Sequence, residues 1–242
     1  MKIALVTGGS RGIGKAISLK LARDGYYVLV NYRSNEAAAR ETLEQIRSGG
    51  GDGELMQCDV ADPQQVKHVL DKWHEPDQER HIEVLVNNAG LTKDNLMVFM
   101  SDSEWEDVIA TNQNSFFYVT RYLLQNMLVK KCGRIVNIVS LSGQKGLAGQ
   151  VNYAASKGAV IAATKSLAME VGKKKVTVNA VAPGFIITEM TKDLDEKQLS
   201  ALVPLRRFGK PEEVAEVVGF LVSEKASYIT GEIISVNGGM YS

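Results

Sequence analysis

The sequence predicts an α/β fold in which helices cover both faces of one doubly wound, seven-stranded parallel sheet. Three observations predict it: short apolar runs alternate with helical patterns, a glycine-rich turn follows the first run, and polar or turn residues follow most of the others. Such alternation is typical of a parallel sheet, whose ligands bind beyond the carboxyl ends of the strands. The predicted strands span residues 2–6, 27–32, 54–58, 82–86, 133–139, 176–181 and 232–236.

The first strand and the turn after it predict a Rossmann-type, dinucleotide-binding unit. The strand runs directly into Thr7-Gly8-Gly9-Ser10-Arg11-Gly12-Ile13-Gly14. Glycines let the backbone approach a pyrophosphate, and a helix starting near Ile13 directs its amide groups toward that anion. The helix carries Ile17 and Leu21 on one face and ends at Gly25, which is the context that this motif requires.

The end of the second strand indicates the type of cofactor. A site that prefers NAD places Asp or Glu about twenty residues after the glycine turn, where the carboxylate binds the ribose hydroxyls. This chain has Asn31-Tyr32-Arg33-Ser34 there, and Arg11 lies in the turn itself. Because arginines can pair with a 2′-phosphate and no carboxylate repels it, the sequence favours NADPH. The alternative is that Arg33 points into water and that small residues and shape set the preference.

The segment around Tyr153 predicts acid–base chemistry. Lys157 follows Tyr153 by four residues in an alanine-rich run, so a helix places both on one face. At about 4 Å and an effective dielectric constant of about 20, an ammonium stabilises a phenolate by roughly 4 kcal/mol. We therefore expect Lys157 to lower the pKa of Tyr153, so that the phenol exchanges a proton near neutral pH. Considered alone, such a pair is more often a packed ring beside a solvated lysine.

Together, these motifs resemble those of the short-chain dehydrogenase/reductase family, and the resemblance spans almost the entire chain. The matching residues are Thr7-Gly8-x-x-x-Gly12-Ile13-Gly14, Asn87-Asn88-Ala89-Gly90, Ser140, Tyr153-x-x-x-Lys157 and Pro183-Gly184. Segments 149–157 and 204–213 are similar to those of the 3-oxoacyl-(acyl-carrier-protein) reductases. The resemblance implies NADPH-dependent reduction of a 3-oxoacyl thioester to the 3-hydroxyacyl thioester, in fatty-acid or related polyene or polyketide biosynthesis.

The resemblance also implies the residues of the site. Its catalytic set is Asn112, Ser140, Tyr153 and Lys157. Asn114 competes with Asn112 for the role of ordering a water near the lysine, and Ser142 competes with Ser140. The implied cofactor-binding residues are Gly8, Ser10, Arg11, Gly12, Ile13, Gly14, Arg33, Asp59, Val60, Asn87, Ala89, Gly90, Tyr153, Lys157, Pro183, Gly184, Ile186 and Thr188.

Within that set, the resemblance distinguishes several roles. Asp59 receives the adenine amino group beside the Val60 backbone, although an aspartate here could equally cap a turn. Asn87 contacts the ribose, and Asn88 gives structural support. The segment that begins at Pro183 closes over the nicotinamide. Residues 185–203 are expected to form a mobile substrate lid.

The implied mechanism places two side chains on one oxygen. The nicotinamide delivers hydride to a carbonyl carbon, Tyr153 protonates the developing alkoxide, and Ser140 hydrogen-bonds the same atom. Lys157 binds the nicotinamide ribose, and Asn112 with water passes a proton from solvent. An alternative enzyme is an NADP-dependent alcohol or sugar dehydrogenase. A nucleotide-sensing or scaffold protein is the non-enzyme alternative, against which the intact catalytic residues argue.

Two lysine clusters and two helices indicate partners. Lys130 and Lys131 precede the fifth strand, and Lys173, Lys174 and Lys175 follow the helix of Tyr153. These clusters could dock an acidic acyl-carrier protein, or merely complement helix dipoles. The resemblance implies a homotetramer built on helices 113–130 and 152–171 and the last strand; a helix buried within one subunit is the alternative.

Composition predicts one domain over residues 1–242 in an ordinary cytoplasmic enzyme. The 28 lysines and arginines balance 28 aspartates and glutamates, so no overall charge favours nucleic acid. We expect no signal sequence and no membrane span. Cys58 and Cys132 lack ligand or redox spacing and fit a reducing compartment. No metal site is predicted, because His68, His74 and His81 share no helical face with a carboxylate and Pro76 interrupts their segment.

Overall fold

The computed structural model describes residues 1–74 and 80–241. The strands in these ranges form one seven-stranded parallel sheet in the order β3-β2-β1-β4-β5-β6-β7. Every strand lies within two residues of its predicted bounds, so the predicted fold class is confirmed. The strands are β1 Ile3–Val6, β2 Tyr27–Tyr32, β3 Asp52–Gln57, β4 Val84–Asn87, β5 Gly133–Ile138, β6 Val176–Pro183 and β7 Ile233–Val236.

Helices cover both faces of the sheet. The α1, α2 and α9 helices pack on one face, and α3, α5 and α7 on the other. The helices are α1 Gly12–Arg23, α2 Glu36–Ser48, α3 Pro63–His74, α4 Asp102–Ile109, α5 Ser115–Lys130, α6 Leu141–Lys145, α7 Val151–Val171, α8 Glu196–Ser200 and α9 Pro211–Val222. Among the described residues, no helix is both long and apolar enough to cross a bilayer.

The central strands are apolar on both sides because both sides are covered. In β1, Ala4 and Val6 belong to the core beneath α1 and α9, whereas Ile3 and Leu5 belong to the core beneath α3 and α5. Successive side chains of a strand point to opposite faces, so a doubly covered strand reads as a continuous apolar run. This burial explains why the strands could be found from the sequence.

The order of the strands determines where the site can form. The chain moves outward from β1 to β2 and β3, and then returns to the other side of β1 to add β4 and the remaining strands. The loops after β1 and β4 therefore diverge and leave a crevice beyond the carboxyl ends of the strands.

The π-helical turn Ala110–Asn114 joins α4 to α5, so that residues 102–130 form one continuous helix. A π-helical turn contains one more residue per turn than the α-helix, and such turns are frequent at functional sites. Lys131, which ends this helix, and Lys175, which follows α7, both adopt left-handed conformations, with φ of 52° and 57°.

Candidate active site

A cleft of about 660 Å³ opens at the carboxyl ends of the strands. It is lined by the turn after β1, by the residues after β2, β3, β4 and β5, by α7, and by the segment after β6. All the predicted cofactor-binding residues except Asn87 line this cleft, as does Ser140. The sequence motifs, which are spread over about 180 residues, thus meet on one concave surface.

The glycine turn after β1 brings the backbone unusually close to itself. Gly8 and Gly12 have positive φ angles of 60° and 53°, which glycine adopts without strain. A Cβ atom on Gly14 would lie only 2.1 Å from the carbonyl oxygen of Gly8. The buried Asn31 side chain supports the turn, because its Oδ1 accepts a hydrogen bond from the Gly8 amide at 3.1 Å.

The start of α1 fits an anionic ligand. Within the described ranges, Arg11, the N-cap residue of α1, makes no side-chain capping hydrogen bond. The first amide groups of a helix have no partner inside it and carry its positive dipole end. These amide groups adjoin the cleft, and the glycines of the turn have no side chains that would occupy it. The turn therefore fits the pyrophosphate of a dinucleotide.

The two asparagines at the end of β4 differ in their side-chain contacts. Asn87 Nδ2 donates to Thr120 Oγ1 at 3.0 Å and to Asn137 Oδ1 at 2.9 Å, inside the fold. Asn88 lines the cleft and donates to the carbonyl oxygens of Thr7 and Gly8. The Asn87 side-chain amide is thus engaged within the sheet, and Asn87 does not line the cleft.

Thr7 belongs to the glycine-turn motif, and the structure gives it a structural role that the motif alone did not reveal. Its Oγ1 accepts hydrogen bonds from the amides of Asn88 and Ala89 at 2.9 and 3.0 Å, and it donates to the carbonyl of Val86 at 3.3 Å. A single buried hydroxyl therefore ties the turn after β1 to the turn after β4. Its position directly before the glycines was the available signal.

At the predicted adenosine end of the cleft, the two predicted cations lie beside carboxylates. Arg33 Nη1 lies 3.8 Å from Asp59 Oδ2, and Arg11 Nη1 donates to Glu189 Oε2 at 3.0 Å. All four side chains are substantially exposed, between 31% and 70%. Exposed ion pairs of this kind are weak and exchangeable, so both arginines can be redirected toward an anion in the cleft.

At the catalytic end, α7 carries Tyr153 and Lys157 on one face, as the spacing predicted. The Lys157 ammonium lies 5.7 Å from the centre of the Tyr153 ring and donates to the carbonyl oxygen of Ile138 at 2.9 Å. The Ser140 hydroxyl, just after β5, lies near enough to the Tyr153 phenol to lower the pKa of that phenol. The structure thus places Ser140 and Tyr153 together in the cleft, whereas the Ser142 hydroxyl donates to Gln150 at 2.8 Å.

The expected effect of Lys157 on Tyr153 requires a correction. Burial raises the pKa of Tyr153; the hydrogen bond with Ser140 lowers it, and the nearby Asp94 carboxylate raises it. Burial also lowers the pKa of Lys157 to about 8. The ammonium is directed at a backbone carbonyl and is itself partly desolvated, so in this structure desolvation decides the pKa of the phenol.

Asn112 lies in the π-helical turn and is buried beside the lysine. Its Oδ1 accepts from the Leu91 amide at 2.8 Å, and its Nδ2 donates to the Leu91 carbonyl and to Ser156 Oγ. A Cβ atom on Gly90 would lie 3.2 Å from Asn112 Oδ1 and 3.4 Å from Lys157 Nζ. Asn112 and Lys157 therefore border the same small space, while the competing Asn114 is only partly buried.

The segment after β6 covers one side of the cleft. Ile186 pairs with Gly209 in an isolated parallel bridge, and Phe185 stacks on Phe208 with ring centres 5.1 Å apart. The methyl group of Thr188 would lie 3.5 Å from a Cβ atom on Gly12. The predicted lid thus includes a 3-10 turn, Glu189–Thr191, that faces the glycine turn across the cleft.

Comparison with known proteins identifies the family. A family model described as "Enoyl-(Acyl carrier protein) reductase" matches residues 8–241. The 3-oxoacyl-[acyl-carrier-protein] reductase of Staphylococcus aureus is 46% identical over 243 residues, which cover 99% of this chain and 98% of that protein. The chain belongs to the short-chain dehydrogenase/reductase family. As a member, it is an oxidoreductase, and this family uses a nicotinamide cofactor.

Other members of the short-chain dehydrogenase/reductase family extend the comparison. The 3-oxoacyl-[acyl-carrier-protein] reductase of Pseudomonas aeruginosa is also 46% identical, over 99% of this chain and 97% of its own length. A solved structure, titled a putative gluconate dehydrogenase from Agrobacterium tumefaciens, superposes with a TM-score of 0.94 at 32% identity. It covers 99% of this chain and 95% of that one.

The histidines lie away from this family's cleft. His68 and His74 are on α3, and His81 precedes β4, where its Nε2 lies 3.8 Å from Glu83 Oε1. Ligand atoms of His81, Glu83 and Cys132 lie within 4.8 Å of one another. The ligand atoms of one tetrahedral zinc ion, each about 2.0–2.3 Å from the metal, lie roughly 3–4 Å from one another. The 4.8 Å bound that the three side chains meet is wider than this spacing. The expected break at Pro76 lies outside the described residues.

Proposed function

We propose that the chain is an NADPH-dependent 3-oxoacyl-(acyl-carrier-protein) reductase of fatty-acid biosynthesis or a related polyene or polyketide pathway. The observation that carries the proposal is the meeting of Ser140, Tyr153 and Lys157 at the closed end of a dinucleotide-type cleft. The relatives named for this reaction support the substrate class, because they match at 45–46% identity over nearly their whole length. The two free cysteines favour a cytoplasmic enzyme.

The cofactor proposal rests on the glycine turn and the two arginines. The amide groups at the start of α1 would hold the pyrophosphate, and Asp59 and Val60 would border the adenine. Arg11 and Arg33 would pair with a 2′-phosphate by leaving their present carboxylate partners. These cations favour NADPH over NADH.

In this mechanism the chain's own residues bind and protonate the carbonyl oxygen of the substrate. A nicotinamide cofactor, when bound, supplies the hydride. Tyr153 donates its phenolic proton to the developing alkoxide, and the Ser140 hydroxyl donates a hydrogen bond to the same oxygen. Because burial raises the pKa of Tyr153, the phenol retains its proton until that oxygen becomes basic. Asn112, beside Lys157, would order the water that returns a proton.

A second candidate activity is an NADP-dependent alcohol or sugar dehydrogenase. The solved structure titled a putative gluconate dehydrogenase favours it, since its fold matches nearly the whole chain. Its identity to this chain is lower, at 32%, than that of the 3-oxoacyl reductases. The same Ser140, Tyr153 and Lys157 would serve either reaction. Only a measurement of substrate preference therefore distinguishes the two activities.

We also propose that an acyl-carrier protein delivers the substrate. The docking cations would be Lys130 and Lys131 at the end of α5, and Lys173, Lys174 and Lys175 after α7. These clusters lie at the amino ends of β5 and β6, at the opposite rim of the sheet from Ser140. A helix rises about 1.5 Å per residue, so Lys173 lies roughly 30 Å along α7 from Tyr153. Docking there would use electrostatic steering rather than contact with the reacting atoms.

The proposed assembly is a homotetramer built on α5, α7 and β7. Large apolar side chains on the helices are exposed, with Phe117 on α5 at 49% and Met169 on α7 at 86%. Tyr228, shortly before β7, is fully exposed. Exposed apolar side chains of this size favour an interface between subunits. Light scattering coupled to size exclusion should give four times the 26.4 kDa chain mass; a monomer would contradict the proposal.

The activity is tested by steady-state oxidation of NADPH. Acetoacetyl thioester is the principal substrate, and crotonyl thioester, gluconate with NADP and a simple ketone test the other named reactions. We expect turnover with acetoacetyl thioester, reduced about 10²- to 10⁴-fold in Tyr153→Phe because the proton donor is lost. Preference for gluconate or the simple ketone would establish the second candidate. Binding of NADPH without turnover of any substrate would indicate a nucleotide sensor.

A further inference from the structure

A line of hydrogen bonds leads from an exposed carboxylate to the predicted catalytic serine. Gln150 Nε2 donates to Asp94 Oδ2 at 2.7 Å. Gln150 Oε1 accepts from the Ser142 hydroxyl at 2.8 Å. The backbone amide of Ser142 then donates to Ser140 Oγ at 3.1 Å. The line joins the loop before α4 to the end of β5, and the sequence separation of 56 residues between Asp94 and Gln150 hides it from sequence reasoning.

The backbone holds the Asp94 end and the centre of this line of hydrogen bonds. The Asn95 amide donates to the Gly149 carbonyl at 2.8 Å, which fastens the loop of Asp94 to the start of α7. The Gln150 carbonyl accepts from the Ala154 amide at 2.7 Å. Gln150 is the N-cap residue of α7, and Tyr153 lies in the first turn. The Asp94 carboxylate therefore lies near the positive dipole end of α7, where a negative charge is favoured.

The amide of Gln150 has one orientation because its two partners differ. A carboxylate only accepts hydrogen bonds, so Asp94 requires the nitrogen of the amide on its side. The amide oxygen is then left to accept the Ser142 hydroxyl. Without the carboxylate, the amide could turn over and release that hydroxyl.

We propose that Asp94 and Gln150 are positioning residues of the catalytic centre. Asp94 orients the Gln150 amide, and that amide holds Ser142. Ser142 in turn fixes the Ser140 hydroxyl against the Tyr153 phenol. The Asp94 charge also favours the protonated phenol, the form that a reductase needs as its acid. The role of Ser140 and Tyr153 in this inference rests on the proposed function.

Other charged groups surround the phenol and must be separated from Asp94. Lys157 shares α7 with Tyr153, and Lys93 beside Asp94 pairs with Asp107 of α4 at 2.5 Å. Glu104, also on α4, accepts hydrogen bonds from Ser101. The packed elements also carry Asp102 and Glu106 on α4, Lys165 and Glu170 farther along α7, Lys145 at the end of α6 and, across the cleft, Glu189 and Lys192.

The test uses three variants and one matched control. Asp94→Asn removes the charge but leaves an oxygen that accepts from Gln150. Asp94→Ala removes both the charge and the accepting oxygen. Gln150→Met has a side chain of similar length but cannot form the two hydrogen bonds at the centre of the line. Asp107→Asn makes the same neutralisation on the neighbouring helix, outside the line. Far-UV circular dichroism and thermal midpoints verify that each variant is folded.

We expect Asp94→Ala and Gln150→Met to lose about tenfold in kcat, because Ser140 is misplaced, with the KM for NADPH unchanged. Asp94→Asn should recover kcat at its optimum, but the alkaline limb of its kcat profile should move to lower pH. Asp107→Asn should behave as the wild type. Wild-type kcat in both Asp94→Ala and Gln150→Met would overturn the positioning role. An unmoved profile in Asp94→Asn would overturn the effect of the charge.

A titration without substrate separates this inference from the proposed function. Tyrosinate absorbance, measured as the difference between each protein and its Tyr153→Phe derivative, reports the phenol directly. Asp94→Asn should ionise Tyr153 at lower pH than the wild type, because a like charge has been removed. Identical titrations would overturn the effect of the Asp94 charge even if the enzyme reduces 3-oxoacyl thioesters. A lower titration would support it even if the substrate is a different carbonyl.

Discussion

The two ends of the cleft hold their positive charges in opposite ways. At the catalytic end, Lys157 is 5% exposed, and burial lowers its pKa to about 8. At the adenosine end, the side chains of Arg11 and Arg33 are 66% and 63% exposed and rest against carboxylates. Burial adjusts the proton affinity of a charge, whereas exposure leaves a charge that can change partners. In the proposed function, one end of the cleft would transfer a proton and the other would capture a mobile anion.

This difference has consequences for mutation. Changes at the buried end should be large and nearly independent of salt, because the groups there are shielded from mobile ions. Changes at the exposed end should be smaller, and added salt should weaken them. The four predictions below run from the largest expected effect to the smallest.

Replacement of Gly14 tests whether the glycine turn is as tightly packed as the buried end of the cleft. A Cβ at this position would lie 2.1 Å from the Gly8 carbonyl oxygen, so Gly14→Ala must displace the turn that lines the cleft. We expect kcat/KM for NADPH to fall about 100-fold. Gly172→Ala, which places its Cβ in open space at the end of α7, is the control. Near-normal kinetics in Gly14→Ala would show that the turn is flexible enough to accept a Cβ atom and would contradict the prediction.

Neutralisation of Lys157 tests the effect of burial on its proton affinity. The folded-state pKa of about 8 lies below the ordinary 10.5, so between these values the unfolded chain binds the extra proton and the fold gains stability as pH rises. From pH 8 to 9.5, wild type should gain about 2 kcal/mol of unfolding free energy relative to Lys157→Met. Urea unfolding of the cofactor-free proteins measures it.

The control for that experiment is Lys165→Met, on an exposed position of the same helix. Its stability difference from the wild type should stay constant over the same pH range. If Lys157→Met also shows a constant difference, the ammonium at position 157 is not desolvated, and the contrast between the two ends of the cleft fails.

Removal of Arg33 tests the exposed end. If its guanidinium leaves Asp59 for a 2′-phosphate, Arg33→Ala should raise the KM for NADPH about tenfold, which is the loss of one charge-assisted hydrogen bond. The KM for NADH should not change, and the difference should shrink in high salt. Arg47→Ala, an exposed arginine at the end of α2 that pairs with Asp52, is the control. An equal rise in both KM values would instead indicate a structural role for Arg33.

Reversal of the lysine charges after α7 should have the smallest effect. Replacing Lys173, Lys174 and Lys175 by glutamate should raise the KM for a carrier-protein-linked substrate about threefold at low salt, since exposed pairs contribute little each. The KM for an unlinked acetoacetyl thioester should stay unchanged. Lys67→Glu on α3 is the control. Equal effects on linked and unlinked substrates would remove the docking proposal.

The fold could be predicted from the sequence because its strands are buried on both faces. Strands such as β1 and β2 therefore appear as continuous apolar runs, and their bounds followed within two residues. The bounds of β3 were less obvious, because Asp52, Glu54 and Gln57 interrupt its apolar pattern at the edge of the sheet. Periodicity reports burial, and an edge strand is only partly buried.

The parts of the site that depend on local backbone motifs could be predicted from the sequence. The parts that depend on which distant residue a side chain contacts could not. The glycines of the turn and the spacing of Tyr153 and Lys157 are local features, and all of these residues line the cleft. Asn87 and Asn88 are adjacent and chemically identical, so only the contacts with Thr120 and Asn137 reveal which one faces the sheet. The pKa of the phenol likewise depends on desolvation by segments distant in sequence.

The π-helical turn at residues 110–114 sets the tolerance of this region to changes in chain length. Each residue of an α-helix turns the chain by about 100°, so removal of one residue from the turn would rotate all of α5 relative to α4. Asn112 would leave its position beside Leu91, and the apolar face of α5 would no longer meet the sheet. Among variants of this chain, substitutions should therefore accumulate around residues 110–114 while single-residue insertions and deletions stay absent.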